Sequence, residues 1–538
     1  MILISIDIMM SEVYPHSMRK LFTNRESELE QLRFFKEELI NMQPKNLCIL
    51  GPRRCGKSML LKEFVLQNKN DKNMLISYVN IEPLVTTAFD FAVKFVGTIN
   101  YQLFDHNKNY LDCLSKEALL TSNAPKDLKK NLQTLYTELE KAKPSSSYIL
   151  SLAFSYPKEI AKKTNKKIML ILDEFQEITA LKKQKNVGNP LSLFREFFSE
   201  ERVSYIMAGS VVSLLEEIFS DNTSPLFAQA EKMYLTQFNR EATAALTDKL
   251  MKIDNPKIKE MIYLYSRGNP FYIYHIVKRM RLLHAIQNIS IKPVIVKESF
   301  VIETLSVEGK IYDLCDYLYR VSLSKARYYT PLKSILSILS IEGGLNQTQI
   351  AKKLKITQGA TKEYLNELIK INLIVKKDNT YHFIDPVFRY WIAYVQEGVE
   401  IGGYPSEKDL HTLVKDLDKK FQQASSELGR AKEYEFKVKL EEKFDIQFSN
   451  YISHDRKREF DLVGKRHDVY YIVEVKWRNR KVSIKDILDF SKKIQNSFFS
   501  DKEKKMLFIS KCGFDEKALQ EAQKKEIHCL DKNLNKIV

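Results

Sequence analysis

Cysteine is scarce and scattered in this 538-residue chain: six residues (Cys48, Cys55, Cys113, Cys315, Cys512, Cys529), with no C-x-x-C pair and no zinc-like spacing. That excludes a disulfide framework and a clustered zinc site, and thiols so dispersed suit a reducing compartment. Long apolar runs are missing as well. No window reaches the roughly 18 apolar residues of a membrane span. The apolar opening MILISIDIMM is interrupted by Asp7, has no basic leader and is followed by no small-residue cleavage site. The expectation is a soluble, cytoplasmic protein without a membrane partner. Acid is the minority charge: 68 Asp+Glu against 85 Lys+Arg leave a net +17. The excess is spread along the chain rather than gathered in a tail, which favours a polyanionic partner. With 44% hydrophobic and 28% charged residues the chain is a folded protein. Its length calls for three or four domains.

What is present begins with KNLCILGPRRCGKSMLLKEFVL, residues 45–66: an apolar strand, a turn, and a helix. The turn matches G-x-x-x-x-G-K-[ST] through Gly51, Gly56, Lys57 and Ser58. Its glycines let backbone N–H groups point at phosphate oxygens, Lys57 reaches the terminal phosphates, and Ser58 can hold Mg²⁺. KKIMLILDEFQEI, residues 166–178, reads as a buried strand ending in Asp173 and Glu174. Behind a phosphate cradle, the first acid suits Mg²⁺ and the second suits polarising a water. VSYIMAGS, residues 203–210, is another buried strand, and Ser210 at its tip is placed to sense the γ-phosphate or the attacking water. Between these motifs, patterns such as LKKNLQTLYTELEKAK (128–143) predict extra helices on the sheet.

With these motifs the chain resembles the archaeal-type branch of the STAND/AAA+ P-loop ATPases. LFTNRESELEQL (21–32) resembles that family's segment ahead of the P-loop, which helps enclose the base, and LDEFQ resembles its acidic strand. SRGNPFYIYHI (266–276) resembles its lid motif, implying that Gly268, Asn269 and Pro270 close over the nucleotide. The resemblance implies an ASCE/AAA+-like parallel sheet with a helical lid, and ATP with Mg²⁺ as ligands. Where the family often has Gly-Arg, this chain reads Ala228-Gln229, so no arginine finger is supplied there.

Residues 333–386 have the rhythm of a winged helix-turn-helix. One helix ends near Gly343-Gly344, a short second runs from Thr348 to Leu354, and a third starts after a Thr357 cap. A hairpin with an Asp-Asn turn follows from Leu373. Leu365, Leu368 and Ile369 face inward on the third helix; Gln358, Lys362 and Asn366 face out, where such a helix meets a DNA groove. Lys352, Lys353, Lys355, Lys376 and Lys377 are candidate phosphate contacts. Glu363 and Glu367 on the same helix keep its outer face from being strongly basic, and a packing role stands beside the DNA-binding one.

The last third carries EFDLVGKRHDVYYIVEVKW, residues 459–477, as two strands around a turn. A four-residue loop at Lys465–Asp468 would pair Gly464 with Val469 and put Asp461 diagonal to Glu474, on the Glu474/Lys476 face. Two carboxylates and the Val475 carbonyl form a hard oxygen set suited to Mg²⁺ or Mn²⁺, with Lys476 beside them to orient a water. The order of elements resembles the PD-(D/E)XK nuclease superfamily: a helix with Glu435, a strand with Asp461, an E-x-K strand with Glu474 and Lys476, then the helix SIKDILDFSKKIQ (483–495). On that helix Lys492, Lys493 or Gln495 could touch the DNA backbone. Phe460 stands where the superfamily's name has Pro.

The expectation is an α/β multidomain protein in four parts: a P-loop ATPase domain (18–240), a helical lid (241–328), a winged helix (329–396) and, after a linker at 397–409, a restriction-endonuclease-like α/β domain (410–538). Its expected function is ATP binding and hydrolysis that gates metal-dependent DNA cleavage. The alternatives are a non-cleaving ATP-dependent DNA-binding regulator and a STAND-type signalling ATPase that assembles as a homo-oligomer.

Overall fold

The computed structural model describes residues 14–537 apart from 70, 72, 185, 288–290, 324–327, 378, 397–412, 415–416, 418–435, 437–438, 442, 445, 453–458, 477–480 and 532. Glu435 and the linker expected at 397–409 lie outside the described residues. The chain divides into two compact units, Met1–Leu339 with Leu345–Lys415, and Ser340–Gly344 with Asp416–Val538.

In the larger unit, helix α1 (Glu26–Ile40) precedes strand β1 (Leu47–Leu50), helix α2 (Lys57–Asn68) and strand β2 (Met74–Asn80). Helices α3 (Ala88–Leu103) and α4 (Ser146–Thr164) lead to β3 (Lys167–Asp173), β4 (Val203–Gly209), α5 (Val212–Ser220) and β5 (Glu231–Tyr234). The strands form one parallel sheet in the order β2-β3-β4-β1-β5. Both faces are covered, which is why the strands read as continuous apolar runs. On one face Cys48, Leu50, Leu170, Leu172, Tyr205 and Met207 pack with Phe91 and Phe95 of α3 and Phe154 of α4. On the other, Ile49, Met169, Ile171 and Ile206 pack with Leu32 and Phe35 of α1 and Leu61 and Phe64 of α2. The helices expected between the nucleotide motifs thus build a whole layer of this fold. Because the strands are parallel, the tips of β1, β3 and β4 meet at one edge, with the acid-bearing β3 separated from the P-loop strand by β4 alone.

Helix α6 (Pro270–Gln287) begins at the Gly268-Asn269-Pro270 motif. Helix α7 (Tyr329–Glu342), strand β6 (Leu345–Asn346), helix α8 (Gln347–Leu354), helix α9 (Gln358–Lys370) and hairpin β7 (Ile374–Lys377)–β8 (Thr380–Phe383) make the winged helix, closed by α10 (Pro386–Gln396). Thr357 caps α9 by accepting from the Ala360 N–H, and Asn346 with Gln349 forms a capping box on α8. Leu365 and Leu368 are buried and Ile369 half-buried, while Gln358, Lys362 and Asn366 are exposed. Strand β6 pairs with β8, an element too short to show in the sequence pattern.

The smaller unit holds β9 (Phe448–Ile452), β10 (Glu459–Arg466), β11 (Val469–Lys476), helix α11 (Ile484–Gln495), β12 (Lys504–Ser510), α12 (Glu516–Lys524) and β13 (Ile527–Leu530). Its mixed sheet runs β13-β12-β11-β10-β9, parallel at β11, β12 and β13 and antiparallel at β9, β10 and β11. One face carries Ile487, Phe490 and Ile494 of α11 with Ala518 and Ala522 of α12; the other carries Phe436 and Leu440. The hairpin register corrects the expected one. Arg466 pairs with Val469 and Leu462 with Val473, so the turn is two residues, His467-Asp468, with His467 at φ 53°. Lys465 and Arg466 extend the ladder instead of entering the loop. A shift of two residues keeps every side chain on its face, so Asp461 still shares the face of Glu474 and now opposes it directly.

Candidate functional site

The sheet edge of the larger unit opens on a cleft of about 620 Å³. Its floor is the turn between β1 and α2. Gly56 sits at φ 102°, a conformation that only glycine adopts without strain. Gly51 packs so closely that a Cβ would stand 2.5 Å from the Leu235 carbonyl oxygen. Lys57 is buried, its ammonium donating to the carbonyls of Gly51 (2.7 Å) and Pro52 (2.9 Å). The lysine is thereby held inside the loop whose amides it shares.

Ser58 and Asp173, far apart in sequence, meet here: the Ser58 hydroxyl donates to Asp173 Oδ2 at 2.6 Å. Tyr78 of β2 donates to the same oxygen at 2.7 Å, and the Glu174 N–H donates to Oδ1 at 3.0 Å. Burial and then the Asp173 charge push the Tyr78 phenol well above its ordinary pKa, so it stays a donor. A hydroxyl beside a carboxylate is a hard oxygen pair that fits Mg²⁺. Glu174 bends back in the left-handed region at φ 51°. Its Oε2 accepts from the Ser210 N–H (3.1 Å), the Ser210 hydroxyl (2.8 Å) and Gln176 Nε2 (2.6 Å). The two residues read from separate strands are one hydrogen-bonded unit at the cleft wall.

The lid supplies the opposite wall. Pro270, Phe271, Tyr274 and His275 line the cleft. Burial and then the ammonium groups of Lys278 and Lys310 lower the His275 pKa to about 4, leaving a neutral ring at physiological pH. Asn269 caps α6, its side chain accepting from the Phe271 N–H at 3.0 Å. Gly268 lies behind the lining, its carbonyl accepting from the Phe238 N–H at 2.8 Å. A Cβ on Gly268 would stand 1.9 Å from the Phe238 carbonyl oxygen, and φ is 70°. Gly268→Ala is therefore expected to destabilise the protein by about 3 kcal/mol, the combined cost of left-handed strain and overpacking. The midpoint of urea unfolding reads it; an unchanged midpoint refutes it.

Several cleft residues were read from the sequence only as parts of a motif, or not at all. Arg25, buried, donates to the carbonyls of Cys55 (3.1 Å) and Thr236 (2.8 Å), and its guanidinium lies 4.8 Å from the Phe238 ring centre. Lys62 faces the cleft with its pKa lowered by burial against the opposing pull of Asp173. Gln176 was visible within LDEFQ as a neighbour of Glu174; Tyr78 carries no motif at all.

Two hydrogen bonds run from this region to the winged helix. Ser213 on α5 donates to the Lys370 carbonyl at the end of α9 (2.8 Å), and Tyr272 on α6 donates to Asp385 Oδ2 (2.5 Å). Arg389 and Trp391 of α10 are buried, in keeping with a packing role.

In the smaller unit Asp461, Glu474 and Lys476 come together as expected. Asp461 Oδ2 accepts from the Val475 N–H at 2.7 Å. Glu474 is buried, with Lys476 on Oε1 (2.5 Å) and Lys493 of α11 on Oε2 (2.8 Å). Burial first, and then Glu474, push the Asp461 carboxyl up to about 7. Burial also disfavours the Glu474 charge, but the two ammonium groups outweigh it and hold its pKa below the usual carboxylate value. The donors suit a divalent cation in type, although each Glu474 oxygen already accepts from a lysine. No cluster of three or more His, Cys, Asp or Glu side chains with metal-binding geometry occurs among the described residues.

Among the described residues no helix is long and apolar enough to cross a membrane. Residues 22–276 match the model of an ATPase domain predominantly from Archaea, and residues 332–375 that of a winged helix-turn-helix DNA-binding domain. An uncharacterized ATP-binding protein of Methanocaldococcus jannaschii is 27% identical over 287 residues, covering 50% of this chain and 73% of the relative. Another from that organism is 24% identical over 350 residues, covering 58% and 89%. Among solved structures, the Walker-type ATPase PABY2304 of Pyrococcus abyssi aligns with a TM-score of 0.48 at 17% identity, over 69% of this chain and 96% of that one. The larger unit thus carries an archaeal-type P-loop ATPase domain followed by a winged helix-turn-helix domain.

Proposed function

We propose that this chain binds ATP with Mg²⁺ in the cleft, hydrolyses it, and uses the nucleotide state to gate metal-dependent DNA cleavage by the C-terminal domain. The observation that carries the ATPase half is the pairing of Ser58 with Asp173 beside the Glu174–Ser210 unit. Ser58 and Asp173 would hold Mg²⁺, which supplies charge neutralisation between the phosphates. Lys57 and the loop amides grip the phosphates, Glu174 orients the attacking water, and Ser210 holds Glu174 in place. The apolar side chains at the cleft mouth, among them Leu21, Phe22 and Tyr274, suit the base.

The links from Ser213 to Lys370 and from Tyr272 to Asp385 support a route from nucleotide to winged helix. The exposed Lys352, Lys353, Lys355, Lys376 and Lys377 support DNA as its partner. The coexistence of Asp461, Glu474 and Lys476 supports cleavage. Glu174→Gln should keep ATP affinity and lower phosphate release about 100-fold or more. In a plasmid-nicking assay with Mg²⁺ or Mn²⁺, the same variant should uncouple cleavage from added ATP. Nicking that responds to ATP equally in wild type and variant would refute gating by turnover.

The occupation of both Glu474 oxygens by Lys476 and Lys493 favours a second reading, in which this domain binds DNA without cutting it. That reading expects salt-dependent DNA binding and no metal-dependent nicking.

A further inference from the structure

We propose that Phe498 and Tyr470 form a stacking site for a base of single-stranded or locally unpaired DNA, on the same sheet face as the carboxylate pair. The placement rests on the proposed role of the C-terminal domain; the stacking itself stands on the side chains. Along β11, Tyr470, Ile472, Glu474 and Lys476 alternate onto one face. Tyr470 precedes Glu474 by four residues, about 13 Å at roughly 3.3 Å per residue.

Phe498, 57% exposed, is the most exposed aromatic side chain among the described residues. Its neighbour Phe499 does the structural task, buried against Tyr451, Phe460 and Tyr470 with ring centres 4.8–5.5 Å apart. Phe498 meets Tyr470 at 6.1 Å and 88° and Phe499 at 5.5 Å and 79°, both edge-to-face contacts, so neither of these rings lies stacked flat on Phe498. Burying a phenylalanine stabilises a fold by about 1.5–3 kcal/mol, and more than half of the Phe498 surface forgoes that gain.

Charge surrounds the pair. The Lys502 ammonium lies 5.3 Å from the Phe498 ring centre, and that of Lys465 lies 5.3 Å from the Tyr470 ring centre. Lys465 and Lys502 are both exposed. An aromatic pair flanked by ammonium groups offers a base a π-face and its phosphates a counter-charge. A purely apolar partner would have to seat against the Lys502 ammonium and the Lys465–Asp468 ion pair (3.5 Å), and duplex DNA keeps its bases out of reach.

The test uses the full chain with Phe498→Ala and Phe498→Trp, titrated with labelled oligothymidylate, a strand of equal length without bases, and a duplex. Alanine should weaken oligothymidylate binding about 5- to 150-fold, the span of one lost base–aromatic stack. Tryptophan should restore it, and its emission should be quenched on binding. All three proteins should bind the base-free strand and the duplex alike. Unchanged oligothymidylate affinity in Phe498→Ala, an equal loss on the base-free strand, or no binding by wild type would each overturn the proposal. Plasmid nicking by the wild type separates the two ideas: its absence while Phe498-dependent binding persists removes the nuclease reading and leaves the stacking site.

Discussion

Lys57→Ala is expected to abolish measurable ATP association and reduce phosphate release to background. The Lys57 ammonium already lies within hydrogen-bond reach of two loop carbonyls, so little reorganisation separates it from a phosphate at the same loop. A charge-assisted hydrogen bond in such a place contributes about 1.5–3 kcal/mol, a factor of about 10–150 in affinity for each one lost. The substitution also leaves the Gly51 and Pro52 carbonyls without their donor, which adds to the loss. Calorimetry with ATP reads binding, and a phosphate-release assay reads turnover. Ser58→Ala is the companion variant: it keeps the loop's lysine but removes one oxygen of the Mg²⁺ pair, so it should weaken MgATP more than metal-free ADP. Unaltered ATP heats in Lys57→Ala would refute the cleft as the nucleotide site.

The second large effect concerns the C-terminal carboxylates. Asp461→Asn and Lys476→Ala should each lower metal-dependent nicking by at least about 100-fold. Asparagine can still accept from the Val475 N–H, so the loss reports charge and not folding. The pH profile of the wild type gives a sharper signature. A carboxyl raised to about 7 is protonated below that pH and cannot hold a cation. Glu474, held down by its two lysines, stays ionised throughout. Nicking should therefore rise with pH, about tenfold per unit up to 7, and level off above it. A rate independent of pH between 5.5 and 8, or equal cleavage by Asp461→Asn, would remove the assignment.

The front half of the chain was legible because its chemistry is local. Gly51 to Ser58 lie within a single turn, and Asp173, Glu174 and Ser210 end strands whose apolar runs announce burial on both faces. The partners that orient them were not legible. Tyr78 reaches Asp173 only because β2 lies beside β3, and Arg25 reaches Cys55 and Thr236 across long separations. No spacing rule records such neighbours. At the winged helix, Thr357 and the buried Leu365 and Leu368 were readable from capping and period, whereas two-residue β6 was not. In the C-terminal hairpin, alternation predicted the correct faces but not the turn, because Lys465–Asp468 suits a four-residue loop as well as a two-residue one. Lys493 was visible as a cation on a helix; its ion pair with Glu474 was not, since that depends on how α11 lies on the sheet.

The short path from Ser210 through Ser213 to the Lys370 carbonyl has a thermodynamic side. Linkage is symmetric: the factor by which a nucleotide alters affinity for a ligand on α9 equals the factor by which that ligand alters affinity for the nucleotide. A double helix seated on α9 would then be an effector of the cleft, and ATP titrations with and without DNA would measure one and the same number from its two ends.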